Sequence, residues 1–181
     1  MRRREAAYGR NRRVPTTRTL IVTGLKIPFL GRAPGDGKAL ARQLAERFPQ
    51  AGVEHADWND AFDVESLARA DRIVLIGHSF GGARCVRLAR QLERLGKRVD
   101  DMLLLDPVPT KLTERWLKGA MRVSRNVTRL ACIHRRWRLY PRSKKAKGVP
   151  GGTNRGVGIG HDDFFRSDQI VAAIERAIGG G

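Results

Sequence analysis

The chain has 181 residues, of which 41% are hydrophobic and 30% are charged, and it carries a net charge of +18. This composition is typical of one globular domain that buries about two-thirds of its unfolded surface. It excludes a membrane-spanning transporter, because no run of the sequence approaches the ~18 apolar residues of a membrane span. The two cysteines, Cys85 and Cys132, fall on an apolar helix face and in a predicted strand, which favours reduced, buried thiols over a disulfide framework.

The excess positive charge is confined to two segments. Residues 1–18 contain seven arginines and one glutamate, and residues 111–150 contain thirteen lysines and arginines and one glutamate. Such segments attract polyanions, which include nucleic acid, anionic lipid headgroups and acidic cell-wall polymers. We predict a flexible basic arm over residues 1–18 and a single domain over residues 19–178.

A paired arginine near the N-terminus bears on the location of the protein. Arg12 and Arg13 precede an apolar stretch, as in a twin-arginine signal, but Pro15 and Arg18 intervene and Lys26 interrupts the stretch. The sequence therefore favours a cytoplasmic protein and leaves secretion open.

The first third of the chain alternates strand and helix signals. Residues 19–23 predict a buried strand, and residues 24–37 form a loop with four glycines and two prolines. Asp36 is the predicted N-cap of a helix with one apolar stripe. Residues 52–58 are the next predicted strand, and residues 62–70 form a short helix. The stripe of the first helix comprises Leu40, Ala41, Leu44, Ala45 and Phe48.

A strand, a sharp turn and a long helix follow. Residues 73–76 are continuously apolar, and the turn after them has the pattern G-x-S-x-G around Ser79. A serine at such a turn sits in a strained backbone conformation with its hydroxyl exposed above the sheet. The helix after it ends at Gly96, a residue type favoured just beyond helix ends.

The last third contains weaker signals. Residues 99–105 form a strand, and residues from about 110 to 122 are predicted to be helical. Residues 127–134 are predicted to be the last strand, and residues 135–160 show no strong pattern. A final amphipathic helix begins after Ser167, its predicted cap.

Alternating strands and helices, with strands apolar on both faces, predict an α/β fold. Its central sheet is mostly parallel, has about five strands and is covered by helices on both sides. Such sheets bind ligands outside the carboxyl ends of the strands. Ser79 and Asp106 both follow such ends, so we expect the functional site there.

Three residues meet the needs of acyl transfer by a serine. That chemistry needs a nucleophile, a base that takes its proton and an acid that orients the base. Ser79 is the candidate nucleophile, Asp106 the candidate acid, and His161, in the loop before the last helix, the candidate base. Asp106 also precedes a proline, where aspartate often serves only to cap a turn, and His161 also fits a surface histidine or a cap.

Other acids and histidines compete for these roles. His78 lies beside the serine, and we expect its side chain to be directed away from the site. The other competing residues are Asp57, Asp60, Asp101, His55 and His134.

Three short segments resemble α/β-hydrolase-fold serine hydrolases of the lipase and esterase kind. Residues 77–82, Gly-His-Ser-Phe-Gly-Gly, resemble the nucleophile elbow of that superfamily. Leu105-Asp106-Pro107 resembles the acid segment of pancreatic-type lipases, and Gly160-His161 resembles the histidine segment. The order Ser, Asp, His along the chain is also that of the superfamily. The resemblance spans residues from about 19 to 178 and implies a minimal α/β-hydrolase fold, because the usual opening antiparallel strands are missing.

The resemblance also implies where the oxyanion of the reaction would bind. In this family the donors are two backbone N–H groups. They correspond here to Phe80, the residue after the nucleophile, and to Leu25, in the loop after the first core strand. Thr23-Gly24 stands where many family members have His-Gly.

The basic segment of residues 111–150 lies between the candidate acid and the candidate base. Insertions at this place in the fold overhang the active site as a lid, and Trp116 and Met121 are candidates to face the substrate. Arginines interleaved with Trp137 and Tyr140 also fit a nucleic-acid surface or an anionic membrane. A solvated basic face without a partner is the third interpretation.

These observations predict a serine hydrolase that cleaves a small carboxylic ester or thioester through an acyl-enzyme. No cofactor is expected, and the scattered histidines predict no metal site. The alternative prediction is a polyanion- or nucleic-acid-binding protein that keeps the hydrolase fold with little or no catalysis.

Overall fold

The computed structural model describes residues 16–24, 37–110, 120–136 and 145–180 of the chain. Within these ranges the strands are β1 (Thr17–Thr23), β2 (Val53–Asp57), β3 (Arg72–His78), β4 (Val99–Leu105), β5 (Met121–Arg122), β6 (Val127–Arg135), β7 (Ala146–Lys147) and β8 (Thr153–Val157). The helices are α1 (Gly37–Arg47), α2 (Val64–Ala68), α3 (Phe80–Arg94) and α4 (Asp168–Gly179), with two 3₁₀ helices at Pro49–Ala51 and His161–Arg166.

Six of the strands form one parallel sheet in the order β2-β1-β3-β4-β6-β8. The strands β5 and β7 pair in a separate small sheet. The predicted α/β fold with a mostly parallel sheet is confirmed, but the sheet has six strands where about five were expected.

The additional strand is β8, which sequence reasoning missed. Residues 127–134 are therefore not the last strand, because β8 pairs with β6 from Ala131↔Thr153 to Arg135↔Val157. Its sequence, Thr-Asn-Arg-Gly-Val, is mostly polar, and its first three residues are exposed at the edge of the sheet. A strand with so little burial has no apolar pattern by which to recognise it.

Two other sequence predictions need adjustment between β4 and β6. The helix expected over residues 110–122 falls largely on residues 111–119, which lie outside the described residues, but its end is wrong because Met121–Arg122 form β5. The lid expected over residues 111–150 includes β6, which is a strand of the central sheet. Residues 127–135 of this segment are therefore a strand of the central sheet and not part of a lid.

The two faces of the sheet bury separate apolar clusters. Successive strand residues point to opposite faces, so a strand apolar at every position supplies both clusters. Leu75 and Leu104 pack with α2 and α3 on one face, whereas Ile76 and Leu105 pack with α1 and α4 on the other. The predicted first helix, the long helix after Ser79 and the final helix are confirmed as α1, α3 and α4.

The strand order reverses between β1 and β3, and this reversal determines where a ligand can bind. From β1 the chain first adds β2 on one side and then β3, β4, β6 and β8 on the other. The crevice outside the carboxyl ends of strands at such a reversal is the general ligand site of open α/β sheets. Gly24 follows β1 and Ser79 follows β3, so both border this crevice.

The first described residue is held beside the start of β3. Thr16 donates its backbone N–H to Asp71 at 2.7 Å, and β1 begins at Thr17, two residues before the predicted start of the strand. The basic arm expected over residues 1–18 lies outside the described residues as far as residue 15. No helix in the described part of the chain has the length and hydrophobicity needed to cross a membrane.

Candidate active site

Ser79 occupies the turn between β3 and α3 in a strained conformation. Its φ is 57° and its ψ is −124°. Among the described residues, two that are not glycine have positive φ, Ser79 and Asp106, the latter at 42°. Strained backbone of this kind costs about 1–3 kcal/mol per residue and clusters at functional sites. The two strained residues are the predicted nucleophile and the predicted acid.

Gly81, two residues after the serine, is required because β1 lies very close to it. A Cβ on Gly81 would lie 2.0 Å from the carbonyl oxygen of Val22, a distance that no side chain tolerates. The turn is held on its other side because Val108 donates its backbone N–H to the carbonyl oxygen of Ser79 at 2.9 Å. The elbow is therefore fixed between β1 and the segment that follows β4.

Strand register brings Asp106 to the same edge of the sheet as Ser79. His78 is paired with Leu105 in adjacent parallel strands, so the residues that follow them emerge side by side. Ser79 continues the ladder by donating its N–H to the Leu105 carbonyl at 3.0 Å. Asp106 is fully buried, and its own N–H donates to the carbonyl of Ile133 at 2.7 Å.

Asp106 and His161 are in direct contact, although 55 residues separate them. Nδ1 of His161 lies 2.5 Å from Oδ2 of Asp106. A carboxylate is an acceptor, so Nδ1 carries the proton and donates it, which leaves Nε2 as the acceptor nitrogen of the neutral ring. This is the arrangement that a general base needs toward its orienting acid. The structure describes no hydrogen bond between the Ser79 hydroxyl and His161; such contacts are often long in ligand-free structures.

Arg135 is a neighbour of Asp106 that sequence reasoning missed. Its backbone N–H donates to Oδ1 at 3.2 Å, and its Nε lies 2.6 Å from Oδ2 in an ion pair. The same oxygen therefore faces both His161 and the guanidinium. The contact depends on β6, which ends at Arg135, lying next to β4, and the sequence does not state that strand order.

The expectation that the His78 side chain is directed away from the site was wrong. His78 is buried, its Nε2 donates to the backbone carbonyl of His161 at 2.9 Å, and the two rings lie 4.6 Å apart between centroids. Burial lowers the pKa of His78 from 6.5 to about 3, so the ring is neutral at physiological pH. The reason for the error is that the 3₁₀ helix beginning at His161 closes over the end of β3.

One of the two predicted oxyanion donors lies in the described structure. Phe80 is the first residue of α3 and directly follows Ser79. Leu25 lies outside the described residues. Its neighbour Gly24 touches the elbow: a Cβ there would lie 2.8 Å from the Ser79 hydroxyl oxygen and 3.0 Å from the Phe80 nitrogen. The loop after β1 thus starts beside the nucleophile, as the prediction requires.

Of the two predicted lid residues, Trp116 lies outside the described residues. Met121 lies in β5 and packs against the apolar cluster on the α3 face of the sheet, which makes it a core contact.

An aromatic residue that was not predicted lies beside the elbow. Trp58, just after β2, contacts the Phe80 ring edge-on with 5.5 Å between centroids. Trp58 follows a strand end, which is the signal by which it could have been found.

The other competing acids and histidines make different contacts. Asp101 forms ion pairs of 2.7 Å with both Arg72 and Arg129. His55 contacts the hydroxyl of Thr23 at 3.0 Å, and Asp57 accepts from the same hydroxyl at 2.9 Å. Their partners are different from those of His161. His134 bonds the carbonyl of Arg135 through Nδ1 at 3.1 Å, and Asp60 accepts the backbone N–H of Asp57 at 2.8 Å.

Metal-ligating groups and surface grooves are the alternative locations to consider for the site. In the described ranges, no group of three or more His, Cys, Asp or Glu side chains is arranged to hold a metal ion. A groove of about 520 Å³ lies between α4 and the strands β4, β6 and β8, with Arg129 and Arg155 among its lining residues. None of the three predicted catalytic residues lines it, so we place the candidate site at the elbow and not in the groove.

Comparison with known proteins relates the chain to one family. A 91-residue stretch is 54% identical to part of N-(5-amino-5-carboxypentanoyl)-L-cysteinyl-D-valine synthase from Amycolatopsis lactamdurans, covering 41% of this chain but only 2% of that protein. A solved structure from Xanthomonas campestris pv. campestris, assigned to the hydrolases of the alpha/beta superfamily, matches with a TM-score of 0.44 and 19% identity over 91% of this chain and 96% of that one. The model of the alpha/beta hydrolase family matches residues 27–176. The chain therefore belongs to the alpha/beta hydrolase family.

Proposed function

We propose that this protein is a serine hydrolase that cleaves a carboxylic ester or thioester through an acyl-enzyme on Ser79. The observation that carries the proposal is the 2.5 Å contact between Asp106 and His161 at the strand ends beside the strained Ser79. Two residues distant in sequence meet there in the geometry that an acid and a base require. The proposal is supported further by membership of a family whose members are generally hydrolases.

In the proposed reaction the Ser79 hydroxyl oxygen attacks the carbonyl carbon of the substrate. Nε2 of His161 takes the hydroxyl proton as the new C–O bond forms, and the carbonyl oxygen becomes an oxyanion. The imidazolium then gives this proton to the leaving alkoxide or thiolate, and the alcohol or thiol departs. Water then attacks the acyl-enzyme and gives a proton to Nε2 of His161. The imidazolium returns this proton to the Ser79 oxygen as the carboxylic acid leaves, which restores the Ser79 hydroxyl.

The role of Asp106 in this scheme is to orient and stabilise. Its carboxylate holds the His161 ring in the tautomer with Nε2 free, and it stabilises the imidazolium formed in each half-reaction. The oxyanion is assigned to the backbone N–H groups of Phe80 and Leu25. Each such donor contributes about 10²–10³ in rate in comparable enzymes.

The test is covalent labelling combined with ester hydrolysis. A fluorophosphonate probe should label the wild-type protein, and Ser79→Ala should abolish both labelling and hydrolysis of short p-nitrophenyl esters. Ser167→Ala is the matched control, because the Ser167 side chain makes no capping hydrogen bond at the start of α4. A wild-type protein that neither labels nor hydrolyses any ester of the series overturns the proposal.

A partner for the basic segments is a further part of the proposal. Arg122 on β5 and Lys147 on β7 are exposed and stand opposite each other in register. Like charges placed directly opposite on neighbouring strands repel, so an anionic partner would stabilise this pair. We propose that the hydrolase associates with a polyanion through this surface, in addition to its action on a small acyl ester.

A further inference from the structure

His78 contacts the candidate base, His161, in two ways. It lies at the end of β3, directly before Ser79, and is 5% exposed. Its Nε2 is 2.9 Å from the His161 carbonyl oxygen, and its ring lies 4.6 Å from the His161 ring at an interplanar angle of 35°. One side chain thus contacts both the backbone and the ring of the same residue.

The protonation state of His78 follows from these surroundings. A carbonyl oxygen only accepts, so the neutral His78 ring carries its proton on Nε2 and donates it to His161. Burial keeps the pKa of His78 near 3, so the ring does not become charged beside His161 at neutral pH. This matters because a second cation in contact with His161 would oppose the imidazolium that a general base forms.

The surroundings also hold His78 itself in place. Phe165 meets the His78 ring edge-on at 5.2 Å between centroids, and Phe164 lies at 5.8 Å. Both phenylalanines are buried and belong to the same short 3₁₀ helix as His161. The end of β3 and this helix are therefore joined by one aromatic cluster with a hydrogen bond at its centre.

We propose that His78 is a positioning residue that fixes the backbone and the ring of His161, so that the imidazole stays bonded to Asp106. The proposal rests on the proposed role of His161 as general base. His78 ties the loop that carries the base to the strand that carries the nucleophile, and so sets the distance between them. Misplacement of a reacting group by about 1 Å can cost about 10²-fold in rate.

Two substitutions separate positioning from space filling. His78→Phe keeps an aromatic ring and removes the donor, whereas His78→Gln keeps an N–H donor at about the reach of Nε2. We expect His78→Phe to lower kcat by about 10–100-fold with little change in KM. His78→Gln should restore kcat to within several-fold of the wild type.

A spectroscopic measurement makes the test independent of activity. The His161 Nδ1 proton bonded to Asp106 should give a downfield ¹H resonance, identified by its loss in His161→Gln. His78→Phe should shift or broaden this resonance, and His78→Gln should largely preserve it. His55→Gln is the matched control, since His55 lies on β2 with β1 between it and β3 and contacts Thr23.

The outcomes are distinct for the two proposals. If the wild type does not react with the fluorophosphonate probe, the proposed function fails, while the resonance still reports on the position of His161. If His78→Phe leaves the resonance unchanged, the positioning proposal is overturned whatever the activity. It is also overturned if His78→Gln does no better than His78→Phe in both kcat and the resonance.

Discussion

Arg135 and His161 approach the same oxygen of Asp106, at 2.6 and 2.5 Å respectively. The acid of this site is therefore shared between a permanent cation and the candidate base. Both contacts restrain the Asp106 carboxylate, one as an ion pair and the other as a hydrogen bond. His78, the other titratable ring against His161, stays neutral and adds no charge.

Removal of this cation should slow catalysis. In Arg135→Met, Oδ2 of Asp106 loses the ion pair at 2.6 Å that helps to hold it against His161. We expect kcat to fall by roughly tenfold with little change in KM, because a displaced orienting acid displaces the base. Arg135→Lys is the control that keeps the charge. An unchanged kcat in Arg135→Met contradicts this expectation.

Gly24 should tolerate no side chain. A Cβ there would lie 2.6 Å from the Ser79 Cβ and 3.0 Å from the Phe80 nitrogen, so either the proposed nucleophile or the proposed oxyanion donor must move. We expect Gly24→Ala to lower kcat/KM by at least about 10²-fold. Gly179→Ala is the control, because nothing lies within 4 Å of its added Cβ. Retention of wild-type probe labelling by Gly24→Ala would show that the loop yields instead.

Burial of a neutral His78 predicts a pH-dependent stability. Its pKa is about 3 when folded and near 6.5 when unfolded, so between these values the unfolded chain binds one more proton and stability falls as pH falls. Between pH 7.5 and pH 5 the wild type should lose roughly 2 kcal/mol more unfolding free energy than His78→Phe. Urea unfolding of both proteins at the two pH values measures this difference. Equal losses in the two proteins would contradict the assignment.

The fold was predictable, and three candidate site residues could be chosen, because local patterns in the sequence mark them. Continuous apolar strands, amphipathic helices and the glycines around Ser79 can each be recognised from residue types and their spacing. Arg135 was not predicted, because its role depends on which strand lies next to β4, and that order is not written locally. The strand β8 was missed for a related reason, since an exposed edge strand buries too little to impose a pattern.

The two cysteines should be unreactive in the native protein. Cys85 and Cys132 are buried and form no disulfide bond, and burial raises the pKa of each to about 12. The thiolate is the reactive form, so at pH 8 almost none is present. We expect Ellman's reagent to release no colour from the folded protein and to count two thiols once the chain is unfolded. Rapid reaction of the native protein would show that one of these thiols is accessible.

The exposed cations of the small β5–β7 sheet should carry polyanion binding. Arg122 and Lys147 face each other in register, and Lys145 is exposed beside them. We expect Arg122→Glu/Lys147→Glu to weaken binding of a single-stranded 20-mer oligothymidylate by at least tenfold, and to reduce the slope of log affinity against log salt by roughly 1–2. Fluorescence anisotropy at several salt concentrations measures both quantities.

The control for this variant keeps the same net charge change on another surface. Lys38→Glu/Arg42→Glu reverses two exposed cations of α1, which packs on the face of the sheet opposite to α3. If binding depends only on total charge, the two double variants should weaken it equally. If the β5–β7 surface is the site, only the first should reduce the salt slope. Equal effects, or no effect of the first variant, would assign any binding to another part of the chain.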